Sequence, residues 1–227
     1  MLVLKTRARV KLALAEFQHP SAISVLEGME PQLSVLICSI LDRVDMASAL
    51  LHKLNTQAAG QPVEILCYAD NRAKLLPVKR NMLLAQASGR FVAHLDDDDD
   101  IAPDYVSAIV SAALTRPDAD VISFDQISKL EGQQSYETPF RVRTGLHHQN
   151  QDAYVANNRR ADIMRKPWHW CAWSARLAKA AVFEVAVDED WRWIQQMLPE
   201  ARVEQHIDKV LHYYRWSPSI TTFAGSI

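Results

Sequence analysis

Phe91-Val92-Ala93-His94-Leu95-Asp96-Asp97-Asp98-Asp99-Asp100 is the stretch from which the fold is read: a short apolar run that gives way to five consecutive aspartates. Ser88-Gly89 punctuates the chain just before it, so the apolar part reads as a strand covered on both faces and the acids as its solvent-side exit. Side chains of an extended chain alternate, which puts Asp96 and Asp98 on one side. Two such carboxylates can hold one hard cation, and crowded negative charge is unfavourable unless water or a cation screens it. A solvated acidic loop is the other reading of the run taken alone. Its position directly after a buried strand favours a Mg²⁺ or Mn²⁺ site.

Working outward, residues 33–39 (LSVLICS) and 63–68 form two further continuous apolar runs, the first opened by Pro31 and the second preceded by Gly60 and Pro62. Val44, Ala47, Leu50, Leu51 and Leu54 lie between them at helical spacing, which predicts a β-α-β unit. A second helix is predicted over 77–88, opened by Pro77 with Val78, Met82 and Ala85 on its apolar face, and a third follows Pro103 with Val106, Ile109, Val110, Ala113 and Leu114. Val121 to Phe124 reads as the next strand. Strands alternating with helices imply an α/β fold with a mostly parallel sheet and right-handed crossovers. Ligands of such sheets bind outside the carboxyl ends of the strands, where Asp70 and Asp96 both fall.

From about residue 130 the alternation fades. Between Arg141 and Arg176 seven Arg or Lys face two Asp, interleaved with Trp168, His169, Trp170 and Trp173. Basic residues mixed with aromatics suit a polyanionic or ring-bearing partner; a tryptophan-rich core under a basic rim is the competing reading.

Bulk properties narrow the class without deciding it. The chain has 227 residues and a net charge of −2, which excludes a wholesale basic coat for nucleic acid. Its three cysteines, Cys38, Cys67 and Cys171, lie far apart with no C-x-x-C pair, so neither a zinc ribbon nor a disulfide framework is indicated, and a reducing cytoplasm is expected. No stretch approaches the roughly 18 consecutive apolar residues of a spanning helix. Residues 1–30 are expected to form a mainly helical extension, with 5–17 read as an ordinary packed surface helix ahead of a basic amphipathic helix that touches a membrane or a partner.

Taken together, SVLICSILDR (34–43), VEILCYADN (63–71), VKRNMLLAQASGRFVAHLDDDDD (78–100), APDYV (102–106) and DEDWRW (188–193) resemble the successive blocks of a family 2 glycosyltransferase of the GT-A fold. The variant with Asp70-Asn71, Lys79-Arg80-Asn81 and an extended aspartate run looks most like small transferases of phages and large viruses, which would place it in the host cytoplasm. The resemblance implies a Rossmann-like, mostly parallel sheet flanked by helices, with residues 31–130 as the nucleotide-sugar and metal-binding half and 131–227 as a smaller acceptor-side half.

What the resemblance implies for single residues follows. The donor is a nucleotide-diphosphate sugar, a UDP-sugar favoured, contacted by Ser39, Asp70, Asn71, Lys79, Arg80, Asp96, Asp97 and Arg215. Mn²⁺ or Mg²⁺ is held by Asp96 and Asp98 with His212 as a third ligand. Such an ion suits the chemistry, because a departing diphosphate gathers negative charge that a Lewis acid stabilises. Glu189-Asp190 is similar to the acceptor-side E-D pair, with Asp190 as the general base that takes the proton of a weakly acidic sugar hydroxyl. Trp168, His169, Trp170 and Trp191 fall on the acceptor side, and the family inverts the anomeric centre. Asp99 and Asp100 are surplus to the motif.

The acceptor stays open between a saccharide and a hydroxymethylated base in DNA. Two other classes compete with a glycosyltransferase. A nucleotidyltransferase needs a glycine-rich phosphate loop near the first strand, and the chain's six glycines do not cluster there. A non-enzymatic cation-binding module leaves Arg80 and Asp190 without a role, and the run lacks EF-hand spacing.

Overall fold

The structure is a computed structural model that describes residues 2–7, 30–131, 139–150 and 163–218. Strand β1 is Leu2–Arg7, β2 Leu33–Ile40, β3 Val63–Asp70 and β4 Phe91–Asp96, with helix α1 at Val44–Ala58 and α2 at Leu76–Gln86. The short β5 (Asp100–Ile101) is followed by α3 (Tyr105–Thr115), β6 (Val121–Leu130), β7 (Phe140–Thr144), β8 (Ile163–Arg165) and β9 (Ala172–Ser174). The turn α4 (Ala175–Ala178), helix α5 (Glu189–Met197) and the long strand β10 (Glu204–Trp216) are the last of the described elements.

The elements form one sheet in the order β1-β3-β2-β4-β9-β6-β10-β5, with β7 and β8 paired off β6. Strands β2, β3 and β4 run parallel, as do β6 and β10, and β9 is antiparallel to both β4 and β6. The sheet is therefore mostly parallel and flanked by helices, as expected for a doubly covered α/β core. The continuous apolar runs become its centre: Leu33, Leu36, Leu66, Phe91, Val92 and Phe124 are fully buried. Helix α1 seals it with Ala47, Leu50, Leu54 and Ala58, spaced three and four apart on one face. At the opposite end from the acids, a Cβ on Gly89 would sit 2.5 Å from the Ser34 backbone nitrogen, so only glycine lets the chain pass this close to β2.

Three expectations are corrected. Residues 2–7 are a strand rather than part of a helix: the outer edge of β3 offers unpaired backbone groups, and β1 satisfies them antiparallel, with Leu4 opposite Cys67. The rest of the expected helix over 5–17 lies outside the described residues. The face of α2 turned to the sheet is not Val78, Met82 and Ala85 but Pro77, Lys79, Arg80, Leu83 and Leu84. Two cations point inward there because carboxylates wait for them. In α3 the stripe holds except at its end, where Leu114 is exposed.

Residues beyond 130 continue the same sheet: β9 lies between β4 and β6, and β10 runs beside β6. Two register shifts in β10, between Ile207 and His212, re-aim the strand. As a result His212, Tyr214 and Trp216 line a cavity together.

Candidate active site at the carboxyl edge of the sheet

Each of the five aspartates has a partner, and Asp97 and Asp98 share one. Asp96, the last residue of β4, accepts a hydrogen bond from Arg80 Nη2 at 2.8 Å. Asp97 turns inward and accepts from Ser39 Oγ at 2.7 Å and from Arg43 Nη1 at 2.5 Å. Asp98 takes the other arm of Arg43 at 3.2 Å. Asp99 Oδ2 accepts the Asp96 backbone N–H at 3.1 Å and lies 2.9 Å from His212 Nε2. Asp100, half exposed, pairs with Lys53 and belongs to β5. The side chains of Asp97 and Asp99 are 3% and 2% exposed, against 14% for Asp98 and 33% for Asp96, so exposure alternates along the run, while Asp96 and Asp99 are the two that line the cavity described below.

The ends of β2 and β3 are tied to the run. Lys79 reaches up from α2 to donate to the Ser39 carbonyl at 3.1 Å and to pair with Asp70. Asp70 also accepts the Lys74 backbone N–H at 3.0 Å. Asn71 follows in an exposed bend, beside Arg72 in a left-handed conformation with φ of 56°.

Across the cleft, Arg80 Nη1 also reaches Glu189 Oε1 at 3.3 Å. The pair Glu189-Asp190 opens α5, where negative charge is favoured by the helix dipole. Asp190 Oδ2 accepts from Trp168 Nε1 at 2.9 Å and Oδ1 from the Trp191 backbone N–H at 2.7 Å. His169 stands between the two acidic positions, its Nδ1 3.3 Å from Asp190 and its Nε2 3.7 Å from Asp96. These are ion-pair approaches rather than aligned hydrogen bonds, since neither ring nitrogen has a hydrogen-bond partner.

Burial works against the His169 charge, but Asp190 and then Asp96 overcome it and raise its pKa to about 9. Burial likewise opposes ionisation of Asp190, yet His169 and Arg80 hold it at about 2. Asp96 is held well below the usual carboxylate range by Arg80 and His169 against burial. Asp98 goes the other way: burial, then Asp96 and Asp99, push it up to about 7 despite Arg43. Glu189 is raised by burial against Arg80.

A cavity of about 300 Å³ opens on this cluster, lined on one side by Asp96, Asp99, His169, Asp190 and His212. The opposite wall is mainly apolar and aromatic, with Leu130, Phe140, Val142, Ile163 and Trp216. His212 is backed by Trp170, stacked at 4.9 Å, and its Nδ1 is 3.0 Å from Gln126 Oε1. Trp168 stacks on Trp191 at 5.1 Å.

Carboxylate oxygens and an imidazole nitrogen are donor types that a hard divalent cation accepts. Asp99 Oδ1 and His212 Nε2 are buried without a hydrogen-bond partner, an arrangement that is costly unless something completes it. Asp96, Asp98 and His212 do not converge tightly, because Asp98 is turned to Arg43 and His212 to Asp99. Among the described residues, the three acidic or histidine side chains whose ligand atoms lie within 4.8 Å of one another are Asp125, His206 and Asp208. There Asp125 already receives Arg141 at 2.7 Å and the Thr144 N–H at 3.3 Å.

Other expected residues are placed as follows. Arg215 alternates away from Tyr214 and Trp216 and donates to Glu131 at 2.7 Å, so it is not brought to the cavity. Trp170 is largely buried, stacked on His212, and still contributes to the lining of the cavity. The basic stretch spends much of its charge internally: Arg141 and Arg143 pair with Asp125 and Asp208, and Arg176 with Asp120. Arg159 and Arg160 lie outside the described residues. Arg43 and Gln126 were not singled out from sequence, and Asp99 stood there only as surplus to the motif. For Arg43 a signal existed, because it follows directly on the carboxyl end of the first parallel strand.

No protein-family model and no curated protein matches the chain by sequence. Its fold is similar to crystal structures of S. aureus TarS residues 1–349. One has a TM-score of 0.53 at 15% identity over 81% of this chain and 60% of that one. The complex with UDP-GlcNAc gives 0.53 at 13% identity over 86% and 61%, and the complex with UDP gives 0.55 at 14% over 82% and 61%. The chain thus spans about three-fifths of the length of these solved chains. No helix among the described residues is long and apolar enough to cross a membrane.

Proposed function

We propose that this chain is a glycosyltransferase that moves a sugar from a nucleotide-diphosphate donor, UDP-GlcNAc or a close relative, to an acceptor hydroxyl. The observation that carries the reading is the placement of Asp96 and Asp190 on either side of His169, at the mouth of one cavity on the carboxyl edge of the sheet. The fold shared with TarS, a GT-A-like glycosyltransferase solved with UDP-GlcNAc and with UDP, supports the donor class. Ser39, Asp70 and Lys79 supply a polar cradle at the ends of β2 and β3 for the nucleotide.

In this reading Asp190 accepts the acceptor's hydroxyl proton as its oxygen attacks the anomeric carbon, and the bond from that carbon to the diphosphate breaks with the nucleoside diphosphate leaving. A single displacement of this kind inverts the centre. Trp168 and the Trp191 N–H hold the carboxylate in place, and its low pKa keeps it ionised at neutral pH. Arg80 fixes Asp96 beside the reacting sugar. Asp96, Asp98 and His212, with Asp99 supporting, would hold Mn²⁺ or Mg²⁺, which when bound neutralises charge on the departing diphosphate. The aromatic wall suits a ring-bearing acceptor. Internal pairing of Arg141, Arg143 and Arg176 favours a saccharide over a nucleic acid.

The test is release of UDP from UDP-GlcNAc and other nucleotide sugars, with a saccharide panel and hydroxymethylated DNA as acceptors, with Mn²⁺ or Mg²⁺ and with EDTA. Expected is metal-dependent release stimulated by a saccharide. No release with any donor would overturn the reading, and transfer to DNA that falls steeply with salt would replace the saccharide by a polyanion.

A further inference from the structure

Arg43 has no role in the reaction as described, yet it is the cation that meets the middle of the acidic run. It leaves the single 3₁₀ turn Leu41–Arg43 at the carboxyl end of β2. Its two terminal nitrogens go to different carboxylates: Nη1 to Asp97 at 2.5 Å and Nη2 to Asp98 at 3.2 Å. Asp96, Asp99 and Asp100 are served separately by Arg80 with His169, by His212 and by Lys53.

The two arms are unequal. Asp97 is buried and also receives Ser39 Oγ, so that arm is an anchor. The Asp98 arm is the longer and the more exposed, and Arg43 is the partner that keeps Asp98 turned toward β2. A guanidinium in this position balances the carboxylates as a bound cation would, and a second positive ion cannot share Asp98 with it without strong repulsion. Next along the run, Asp99 Oδ1 is buried without a hydrogen-bond partner, while its other oxygen lies 2.9 Å from His212 Nε2. A guanidinium fork matches phosphate as well as it matches carboxylate.

We propose that Arg43 is a built-in competitor of the divalent cation, bridging Asp97 and Asp98 in the free protein and passing to the donor's diphosphate when the cation takes Asp98. This rests on the transferase reading. It makes cation and nucleotide mutually dependent: the ion displaces Arg43 from Asp98, and the diphosphate accepts the displaced charge. Either ligand alone meets a site that is half satisfied.

The experiment uses the full chain with Mn²⁺ alone, followed by electron paramagnetic resonance, and with UDP in saturating Mn²⁺, followed by calorimetry. Arg43→Gln should bind free Mn²⁺ about tenfold more tightly than the wild type and UDP about tenfold more weakly. Arg43→Lys, which keeps the charge and loses the fork, should shift both in the same senses by less, and it covers the case in which the glutamine variant does not fold. Loss of structure would weaken both ligands, so the opposite signs are the signature. Unchanged or weaker Mn²⁺ binding in both variants overturns the competition, and unchanged UDP binding overturns the transfer to diphosphate. If the folded wild type binds neither Mn²⁺ nor UDP, the transferase reading itself has failed.

Discussion

The two sides of the cleft solve the same electrostatic problem differently. On the β2–β3 side, Lys79 and Arg43 neutralise Asp70, Asp97 and Asp98 at close range, and Ser39 ties the two pairs together. On the β10–α5 side, charge is spread across Arg80, His169, Asp96 and Asp190, with the His169 nitrogens held at 3.3 Å and 3.7 Å from carboxylates and Asp99 Oδ1 buried without a hydrogen-bond partner. Internal ion pairs make the first side a cross-link between strand ends. The unfinished polar groups around a cavity make the second side the place where chemistry can be done, because buried groups left incomplete in the free protein are those a ligand completes.

The sharpest way to break this comparison is at Asp190. Asp190→Asn keeps the shape and the Trp168 contact but cannot take a proton, so kcat for transfer should fall by about 10²- to 10⁴-fold while UDP binding by calorimetry stays as it was. Equal loss of both would move Asp190 from the chemistry to the scaffold. Next comes Arg80, which touches both Asp96 and Glu189. Arg80→Met leaves the buried Glu189 carboxylate without its cation, and breaking a buried pair from one side costs about 3–5 kcal/mol. Chemical denaturation should show it as a lowered midpoint. A variant as stable as the wild type would mean that water reaches this pair freely. Trp168→Phe is milder: it keeps the stack on Trp191 but removes the indole N–H from Asp190, an effect of about 1–2 kcal/mol. It should lower kcat roughly tenfold with little change in donor KM, and a selective rise in KM would make Trp168 a binding wall instead.

The difference between the two sides also explains what was legible in sequence. The sheet was readable because strands buried on both faces appear as unbroken apolar runs, and the helices because Leu50 and Leu54, or Ile109 and Ala113, recur at helical spacing. The α2 face was misread for a physical reason. Lys79 and Arg80 count as solvent residues in any periodicity, and only the three-dimensional convergence of Asp70, Asp96 and Glu189 makes burying them favourable. The same blindness covers Asp99: that one aspartate of an identical five turns to His212 depends on the turn after β4 and on the register shifts in β10, neither of which is written in a local pattern. Arg215 shows the converse. The family resemblance put it at the donor diphosphate, and strand alternation turns it instead to Glu131.

The pH dependence of stability separates the sides again. His169 has an ordinary pKa of 6.5 and about 9 in the fold, so what it contributes is fully present below 6.5 and is lost as pH rises toward 9. Asp190 runs oppositely, from an ordinary 3.8 to about 2; its contribution is full above 3.8 and is lost as pH falls toward 2. Melting temperature against pH should therefore decline on the alkaline side above 6.5, and His169→Gln should flatten that decline while leaving the acid limb. A decline unchanged in the variant would assign it to other groups.

The smallest effect is expected where the run leaves the cleft. Asp100 is 51% exposed and its partner Lys53 48%, so the pair gains little Coulomb energy in water and loses side-chain freedom by forming. Asp100→Asn should change stability by no more than about 0.5 kcal/mol and leave Mn²⁺ binding untouched, although the residue is chemically identical to Asp99 beside it. Asp99→Asn removes a charge that is 2% exposed and faces His212, and should weaken Mn²⁺ binding clearly. If the two substitutions behaved alike, the run would act as a diffuse acidic surface. The separation of the five aspartates among individual partners would then carry no functional weight.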